Sequence, residues 1–318
     1  MRTLITTSGK VVEPTDERIA ACRADARREG FWLDIQAPDD DDYRLLRDVF
    51  EFHPLTIEDI QEANERPKLD EYEDYLFAVV FTGRLARDGI HLMEQHVYGS
   101  KRMVVTVHHD PAPELDALRE RIRQGPEITK GEPGFLLYLI MDALVDAMFP
   151  VLDKLDESID RFQDEVLAGP TPRVLRRISR LKHTVIDLRR QVGAQRDLLQ
   201  RLTTKALQLH PDTGMYYRDI YDHVVRQYET ADSLRDLLTG TMDIYLSTVA
   251  NRQNATMQQL TLIASLFLPL TFLSGFFGMN FGFLVNHIAS GTAFAIGISL
   301  MVAITVVQLA VFRLRRLV

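Results

Sequence analysis

The chain has 318 residues, of which 46% are hydrophobic, and this composition is typical of globular proteins with one large domain or two ordinary ones. Its formal net charge of −8 argues against nucleic acid as a partner, because a phosphate backbone attracts basic surfaces. The single cysteine, Cys22, excludes a disulfide within the chain and is typical of a reducing compartment.

Residues 1–130 have the mixed pattern of a cytosolic α/β domain. A strand is predicted at Phe31–Ile35, and an antiparallel meander is predicted at three runs between turn signals: Tyr75–Leu85, Ile90–Tyr98 and Met103–His108. The acidic stretch Pro38–Asp42 admits a metal-site interpretation. A helix at Tyr43–Phe50 explains it better, since proline and acidic residues favour the N-terminal end of a helix. The segment His108–Asp110 is interpreted as a strand end rather than a ligand set.

From Glu114 onward the pattern is mainly helical. Residues 131–212 are predicted as a helical hairpin, with periodic, charged runs at Glu132–Leu167 and Arg173–Gln208. Residues 213–277 contain no proline before Pro269, which predicts one long stalk helix that continues into a membrane span. A helix of that length without caps implies a bundle or coiled-coil partner.

Membrane insertion is predicted at the C-terminal end. The 60 residues of Gln253–Phe312 include no Asp, Glu, Lys or Arg, and they contain two apolar runs, Met257–Phe277 and Thr292–Phe312. Each run has about the ~20 residues that a helix needs to cross a bilayer. Arginines precede the first span and follow the second, in the basic tail 313–318, so both termini are expected in the cytoplasm and the protein in the bacterial inner membrane. No signal peptide is predicted at Met1–Val12, which lacks an apolar core.

One face of the first span is small or polar. Steps of three and four residues define this face, here called the polar seam, as Asp243, Ser247, Ala250, Asn254, Met257, Thr261, Ala264, Leu268, Thr271, Gly275 and Gly278. Such a face suits either tight helix packing or the lining of a conduit. A conduit needs several copies of a two-helix hairpin, and the long stalk helix supplies an oligomerising element. Asp243 lies below the membrane on the seam, where a ring of carboxylates would concentrate cations. Pro269 frees the carbonyl of Ser265 and gives the helix a place to bend.

The chain resembles the CorA family of divalent-cation channels. The signature is GMN, at Gly278, Met279 and Asn280, and the resemblance extends to HPLTIEDI (53–60), RPKLDEYEDYLF (66–77), LIMDALVDAMFPVLDKLDESID (139–160), YYRDIYDH (216–223) and LTLIASLFLPLTFLSGFFGMNF (260–281). These segments cover most of the chain in the family's order. The resemblance implies a homopentameric funnel in which each chain has an α+β cytosolic domain and a C-terminal transmembrane hairpin of two helices. The loop 278–291 connects the two helices of the hairpin, and residues 292–312 form the second one.

The resemblance also implies residue roles. Five positions match pore-lining residues of the family, namely Asn254, Met257, Leu260, Leu268 and Thr271, and Thr261 and Ala264 share that face. Met257, Leu260 and Leu268 are then apolar constrictions. Asn280, with Gly278 and Met279, is the outer selectivity ring. Asp59 and Asp219, with Glu58 beside them, match a regulatory cation site between neighbouring subunits.

The expected function is a passive pentameric channel for Mg²⁺ influx, with Co²⁺ and Ni²⁺ as further cargo, closed by cytosolic Mg²⁺. A Zn²⁺ transporter on the same scaffold, with or without proton coupling, stays open as an alternative, and so does a membrane-anchored sensor or scaffold. Phe281–Gly291 departs from the family because it contains no acid, which leaves Asn286 or His287 as outer-mouth candidates. An enzyme is not expected, since no H-E-x-x-H, P-loop or G-x-S-x-G motif is present.

Overall fold

A computed structural model describes residues 1–24, 29–63, 66–86, 89–209, 213–280, 282 and 290–315. The chain divides into two compact units, Met1–Ile244 and Tyr245–Val318. The first unit contains a seven-stranded sheet with the order β2-β1-β3-β7-β6-β5-β4. Its strands are β1 Arg2–Thr6, β2 Val11–Val12, β3 Phe31–Gln36, β4 Lys68–Glu71, β5 Leu76–Ala86, β6 Gly89–Gly99 and β7 Met103–His108.

The predicted meander is confirmed. Strand β5 pairs with β6 in antiparallel register from Leu76 opposite Gly99 to Ala86 opposite Gly89, and β6 pairs with β7 in the same sense. Strand β3 is parallel to β7 and antiparallel to β1, so it lies in the middle of the sheet. The sequence pattern did not identify β1, β2 and β4, which are short strands at or near the sheet edges.

Alternation along β3 explains how the sheet is buried on both faces. Phe31, Leu33 and Ile35 enter an apolar core that also includes Leu46, Phe52 and Tyr98. Trp32 points to the opposite face and is fully buried, and its indole N–H donates to the Thr106 hydroxyl at 2.8 Å. Burying a Trp with its N–H satisfied contributes large apolar area without the cost of an orphaned donor.

The segment His108–Asp110 is a strand end, as expected. His108 closes β7, is 2% exposed, and lies 3.2 Å from the Asp34 carboxylate through its Nε2. Burial opposes protonation of His108, but the hydrogen bond and charge of Asp34 outweigh it, so the pKa of His108 is raised. Arg119 donates to the same carboxylate at 2.6 Å. These groups form an internal network around the Asp34 carboxylate, so His108 has a structural partner within the fold.

The acidic stretch opens a helix, as predicted, although the helix begins earlier than expected. Helix α1 spans Asp16–Ala24, and α2 spans Asp40–Arg44 before a π-helical turn at Leu45–Val49. Asp39 is the N-cap: its carboxylate accepts from the N–H groups of Asp41 and Asp42, and Asp42 accepts from the N–H of Asp39. Arg2 also donates to Asp42. Capping and ion pairing therefore account for these acids.

The helices that follow are α3 Pro54–Glu62, α4 Pro113–Gln124, α5 Pro133–Asp146, α6 Phe149–Ala168, α7 Pro172–Leu209, α8 Gly214–Phe277 and α9 Gly291–Leu314, with a 3₁₀ turn at Pro126–Thr129. The single periodic run expected at Glu132–Leu167 is two helices. Pro150 explains the break, because it has no N–H for the Asp146 carbonyl and its ring crowds that oxygen. The predicted long helices at Arg173–Gln208 and Thr213–Phe277 are α7 and α8.

Within the described part of the chain, three helical stretches are long and apolar enough to cross a membrane, and they differ in how far they are buried inside the fold. The most apolar window of Pro133–Ala168 is 61% buried inside the fold, whereas those of α8 and α9 are 0% buried. Helix α5 packs closely on the sheet: a Cβ atom on Gly99 would lie 2.6 Å from Leu137. Its apolar composition therefore serves the internal core. The unburied windows coincide with the two spans predicted from sequence.

Candidate functional site

The membrane-spanning part of α8 has one face that packs against α9. Its half-buried residues recur every three or four positions: Leu262, Ser265, Leu266, Pro269, Leu270 and Leu273. On α9 the half-buried residues show the same spacing, at Ala293, Gly297, Met301, Ile304, Thr305, Gln308 and Phe312. The amide Nε2 of Gln308 donates to the Ser265 carbonyl oxygen at 3.0 Å. Each helix therefore packs one row of residues against the other helix of the hairpin.

The polar seam lies on a different face of α8. Every one of its eleven residues is exposed in the single chain, from Asp243 to Gly278. The apolar members are among the most exposed, at 61% for Met257 and 71% for Leu268, and neighbouring Leu260 is 59% exposed. Packing against the hairpin partner thus leaves the seam open. In the single chain it is therefore free to contact water, lipid or other copies of the chain.

Threonines on the seam use their hydrogen within their own helix. Thr261 donates to the Met257 carbonyl at 2.7 Å, and Thr271 donates to the Phe267 carbonyl at 2.9 Å. A hydroxyl that has donated its proton still carries acceptor lone pairs. The seam therefore offers hydrogen-bond acceptors outward, and water bound to a cation is a strong donor.

The GMN segment follows directly after α8. The Gly278 N–H donates to the Ser274 carbonyl at 3.0 Å, and the Met279 N–H donates to the Phe276 carbonyl at 3.3 Å. Asn280 comes next and is exposed. The backbone N–H groups of the two residues before Asn280 are thus hydrogen-bonded to carbonyls of the last helical turn. The two outer-mouth candidates, Asn286 and His287, lie outside the described residues.

The three residues expected at a regulatory site are on two helices. Glu58 and Asp59 lie in α3, where Glu58 is exposed and Asp59 is half-buried. The Asp59 carboxylate forms an ion pair with Lys68 at 2.8 Å. Asp219 lies in the first turns of α8 and is exposed. A cation that binds Asp59 must therefore replace, or sit beside, a lysine ammonium.

An acidic cluster that the sequence reasoning missed lies beside Asp219. Asp142 and Asp146 of α5 and His223 of α8 bring their ligand atoms within 4.8 Å of one another. His223 Nδ1 lies 2.8 Å from Asp146 and 3.9 Å from Asp142. This group, taken from the described residues, does not include Glu58, Asp59 or Asp219. Carboxylate oxygens and one imidazole suit a divalent cation.

Burial and neighbouring negative charges raise the pKa values of groups in and beside this cluster. Burial raises the pKa of Asp142 to about 6, and the charges of Asp146 and Asp219 act in the same direction, while His223 opposes them. The pKa of Tyr138 rises to about 12, through burial first and then the charges of Asp142 and Asp219. Three carboxylates thus share one locality, so a cation there would relieve repulsion.

Comparison with known proteins gives a consistent result. The family model described as CorA-like Mg²⁺ transporter protein matches residues 28–316. The cobalt/magnesium transport protein CorA of Thermotoga maritima is 36% identical over 242 residues, which cover 74% of this chain and 69% of that protein. The zinc transport protein ZntB of Yersinia enterocolitica is 28% identical over 192 residues, which cover 60% and 58% of the two chains.

A solved structure matches over nearly the whole length. The complete structure of the CorA magnesium transporter from Methanocaldococcus jannaschii superposes with a TM-score of 0.81, at 22% identity, covering 98% of this chain and 97% of that one. At that identity the likeness concerns the fold. The α+β unit followed by apolar C-terminal helices is therefore the architecture that the sequence predicted.

Proposed function

The chain belongs to the family of CorA-like Mg²⁺ transporter proteins, and from this premise we propose that it forms a homopentameric, passive channel for hydrated Mg²⁺. The family is one of transporters rather than enzymes, and its members are membrane proteins. We place this chain in the bacterial inner membrane with both termini in the cytoplasm. The observation that carries the proposal is the polar seam, which is exposed along its whole length and faces away from the hairpin partner.

The chemistry of the seam suits an ion that keeps its water. Mg²⁺ holds six oxygen ligands at ~2.0–2.1 Å and dehydrates reluctantly. The hydroxyl oxygens of Thr261 and Thr271 and the amide oxygens of Asn254 and Asn280 can accept hydrogen bonds from its inner-shell water. No carboxylate lies between Gln253 and Phe312 to strip or trap the ion. Weak, repeated contacts of this kind allow an ion to enter and also to leave.

Gating follows from the apolar members of the same face. In a ring of copies, Met257, Leu260 and Leu268 would bring bare hydrophobic side chains to the axis, and a narrow apolar ring excludes water and ions. Asp243 would draw cations toward the cytosolic end. Opening requires the rings to widen, which needs a change in how neighbouring copies pack.

Regulation by cytosolic Mg²⁺ follows from the acidic sites. Asp59, Glu58 and Asp219 would meet across a subunit boundary and repel one another until a cation bridges them. Loss of cytosolic Mg²⁺ empties the bridge, favours separation of the subunits and opens the channel, which is negative feedback by mass action. Asp142 extends the negative region next to Asp219 within one chain.

The direct test is cation uptake by liposomes that contain the purified protein. Uptake of Mg²⁺, Co²⁺ and Zn²⁺ is measured with and without a pH gradient. We expect Mg²⁺ uptake that is independent of the gradient and is abolished by Asn280→Ala, whereas Asn251→Ala, an exposed amide off the seam, should conduct normally. Uptake of Zn²⁺ alone, driven by a proton gradient, would instead support a zinc transporter, the function that the name of the relative ZntB gives. No uptake of any cation would favour a sensor or scaffold.

The regulatory site has its own test. Replacing Asp59 and Asp219 together by asparagine removes the charged carboxylate ligands through which a cation would bridge neighbouring subunits and hold the channel closed. We expect closure to need more than tenfold higher internal Mg²⁺ in the double variant. An unchanged closing concentration would place regulation elsewhere while leaving conduction intact.

A further inference from the structure

A proline interrupts the hydrogen-bond ladder of α8 inside the membrane-spanning segment. Pro269 has no N–H, so the carbonyl oxygen of Ser265, four residues earlier, lacks its intrahelical partner. Within a bilayer no bulk water is present to satisfy such a group, and leaving it unpaired is costly. The break must therefore find a partner in protein.

Gln308 of α9 supplies that partner. Its Nε2 donates to the Ser265 carbonyl at 3.0 Å, and because a carbonyl can only accept, the orientation of the amide is fixed. Gln308 is the single amide side chain in the sequence of α9. Among the described residues its Oε1 is buried without a hydrogen-bond partner. An apolar helix would gain nothing from this polar side chain unless the bond itself is useful.

Nearby hydroxyls do not make the same connection. Thr305, on the same stripe of α9, donates to the Met301 carbonyl of its own helix at 2.9 Å. Thr271 of α8 likewise donates within its own helix. The hydrogen bond between Gln308 and Ser265 therefore connects two helices, whereas each of these hydroxyls bonds within its own helix.

The bond lies next to Leu268, one of the residues proposed to form the apolar constriction. Ser265 and Pro269 lie on the face adjoining Leu268, and a shallow, open groove on the surface of α8 is lined by Leu260, Thr261, Ala264, Ser265, Leu268 and Pro269. Four of these six lining residues belong to the proposed pore face. Leu268 immediately precedes Pro269, so a bend of α8 at its proline would displace Leu268, and Gln308 is a polar group that connects this point to α9.

We propose that Gln308 is a positioning residue of the channel. Its amide donates a hydrogen bond to the Ser265 carbonyl, which has no intrahelical partner because of Pro269. This bond connects the flexible point of α8 to α9 and so holds Leu268 in its position at the constriction. This inference rests on the proposed channel function. An apolar ring excludes ions only while all of its side chains meet at the axis. Loss of the hydrogen bond between Gln308 and Ser265 should therefore increase the rate at which ions pass through the closed channel.

The experiment is a double-mutant cycle on the full-length protein, in liposomes and in detergent. Gln308→Leu removes the donor, and Gln308→Asn keeps the amide but shortens it by one methylene. Pro269→Ala restores an N–H for the Ser265 carbonyl, so that the donor of Gln308 is no longer needed. A side-chain hydrogen bond between membrane helices has an average effect of about threefold on an equilibrium, or ~0.6 kcal/mol.

Two readouts separate the inference from the proposed function. At an internal Mg²⁺ concentration that closes the wild type, Gln308→Leu and Gln308→Asn should each leak about threefold faster, and the increase should disappear in the Pro269→Ala background. The same pattern should appear in the melting temperature of the detergent-solubilised protein, which requires no conduction. Equal effects with and without Pro269, or no effect on leak, would overturn the positioning role. A protein that never conducts but keeps the melting pattern would refute the channel and retain the hydrogen bond.

Discussion

Replacing Asp142 by asparagine should stabilise the protein. The Asp142 carboxylate is only 26% exposed and lies close to Asp146, and the charge of Asp219 acts on it as well. Its ionised form is therefore disfavoured in the folded state. Asparagine keeps the size and polarity of the side chain and removes the charge, as a bound cation would do by neutralisation.

The magnitude follows from the pKa. The ordinary aspartate value is 3.8 and burial raises the pKa of Asp142 to about 6. Each unit of pKa corresponds to ~1.4 kcal/mol, and solvent screening of this half-buried group reduces the cost of its ionisation to roughly 1–2 kcal/mol at neutral pH. The folded state binds the Asp142 proton more tightly than the unfolded state does, so the Asp142 contribution to wild-type stability rises as pH falls from about 7 to about 4. The asparagine variant lacks this dependence, and the difference vanishes below pH 4.

The assay is thermal unfolding of the full-length protein in detergent with a metal chelator, between pH 4 and pH 8. For a unit of this size ~2–4 °C accompanies each kcal/mol, so Asp142→Asn should melt about 2–8 °C higher at pH 8. Asp153→Asn, which removes an exposed acid from α6, should melt like the wild type. Added Mg²⁺ should narrow the gap by stabilising the wild type. A variant that melts at or below the wild-type temperature at pH 8 would refute the reasoning.

Two further predictions use other features. In a Cys22→Ser background, Ala264→Cys should be blocked by a positively charged thiol reagent during Mg²⁺ uptake, whereas Ile263→Cys, which lies off the polar seam, should continue to conduct; equal sensitivity would contradict the assigned face. Tyr98→Phe removes a buried hydrogen bond of 2.9 Å from the Tyr98 hydroxyl to Thr56 and should lower the free energy of unfolding by about 1 kcal/mol, measured by chemical denaturation, while an unchanged value would show that the bond contributes nothing.

Local pattern was sufficient for the elements with strong periodicity. Strands β5 to β7 alternate or are apolar between turn residues, and α8 has no internal proline before Pro269, so both could be predicted. Strands β1 and β4 are short and depend on neighbours distant in sequence for their pairing. Pro150 could have marked the break between α5 and α6, but the charged periodicity continues across it.

The candidate site divides in the same way. The polar seam is a property of one helix, so its spacing is visible in the sequence. The acidic cluster joins an i, i+4 pair on α5, Asp142 and Asp146, to His223 on α8, and only tertiary packing brings them together. The open carbonyl of Ser265 was predicted from Pro269, yet its donor lies 43 residues away on another helix.

The most direct measurement is electron microscopy of the assembled protein in lipid nanodiscs. The account predicts five copies around one axis, with Thr261, Ala264 and Leu268 of every copy bordering a water-filled passage that ends at a ring of Asn280 side chains. A particle in which those residues contact lipid, or in which no central passage exists, would contradict it.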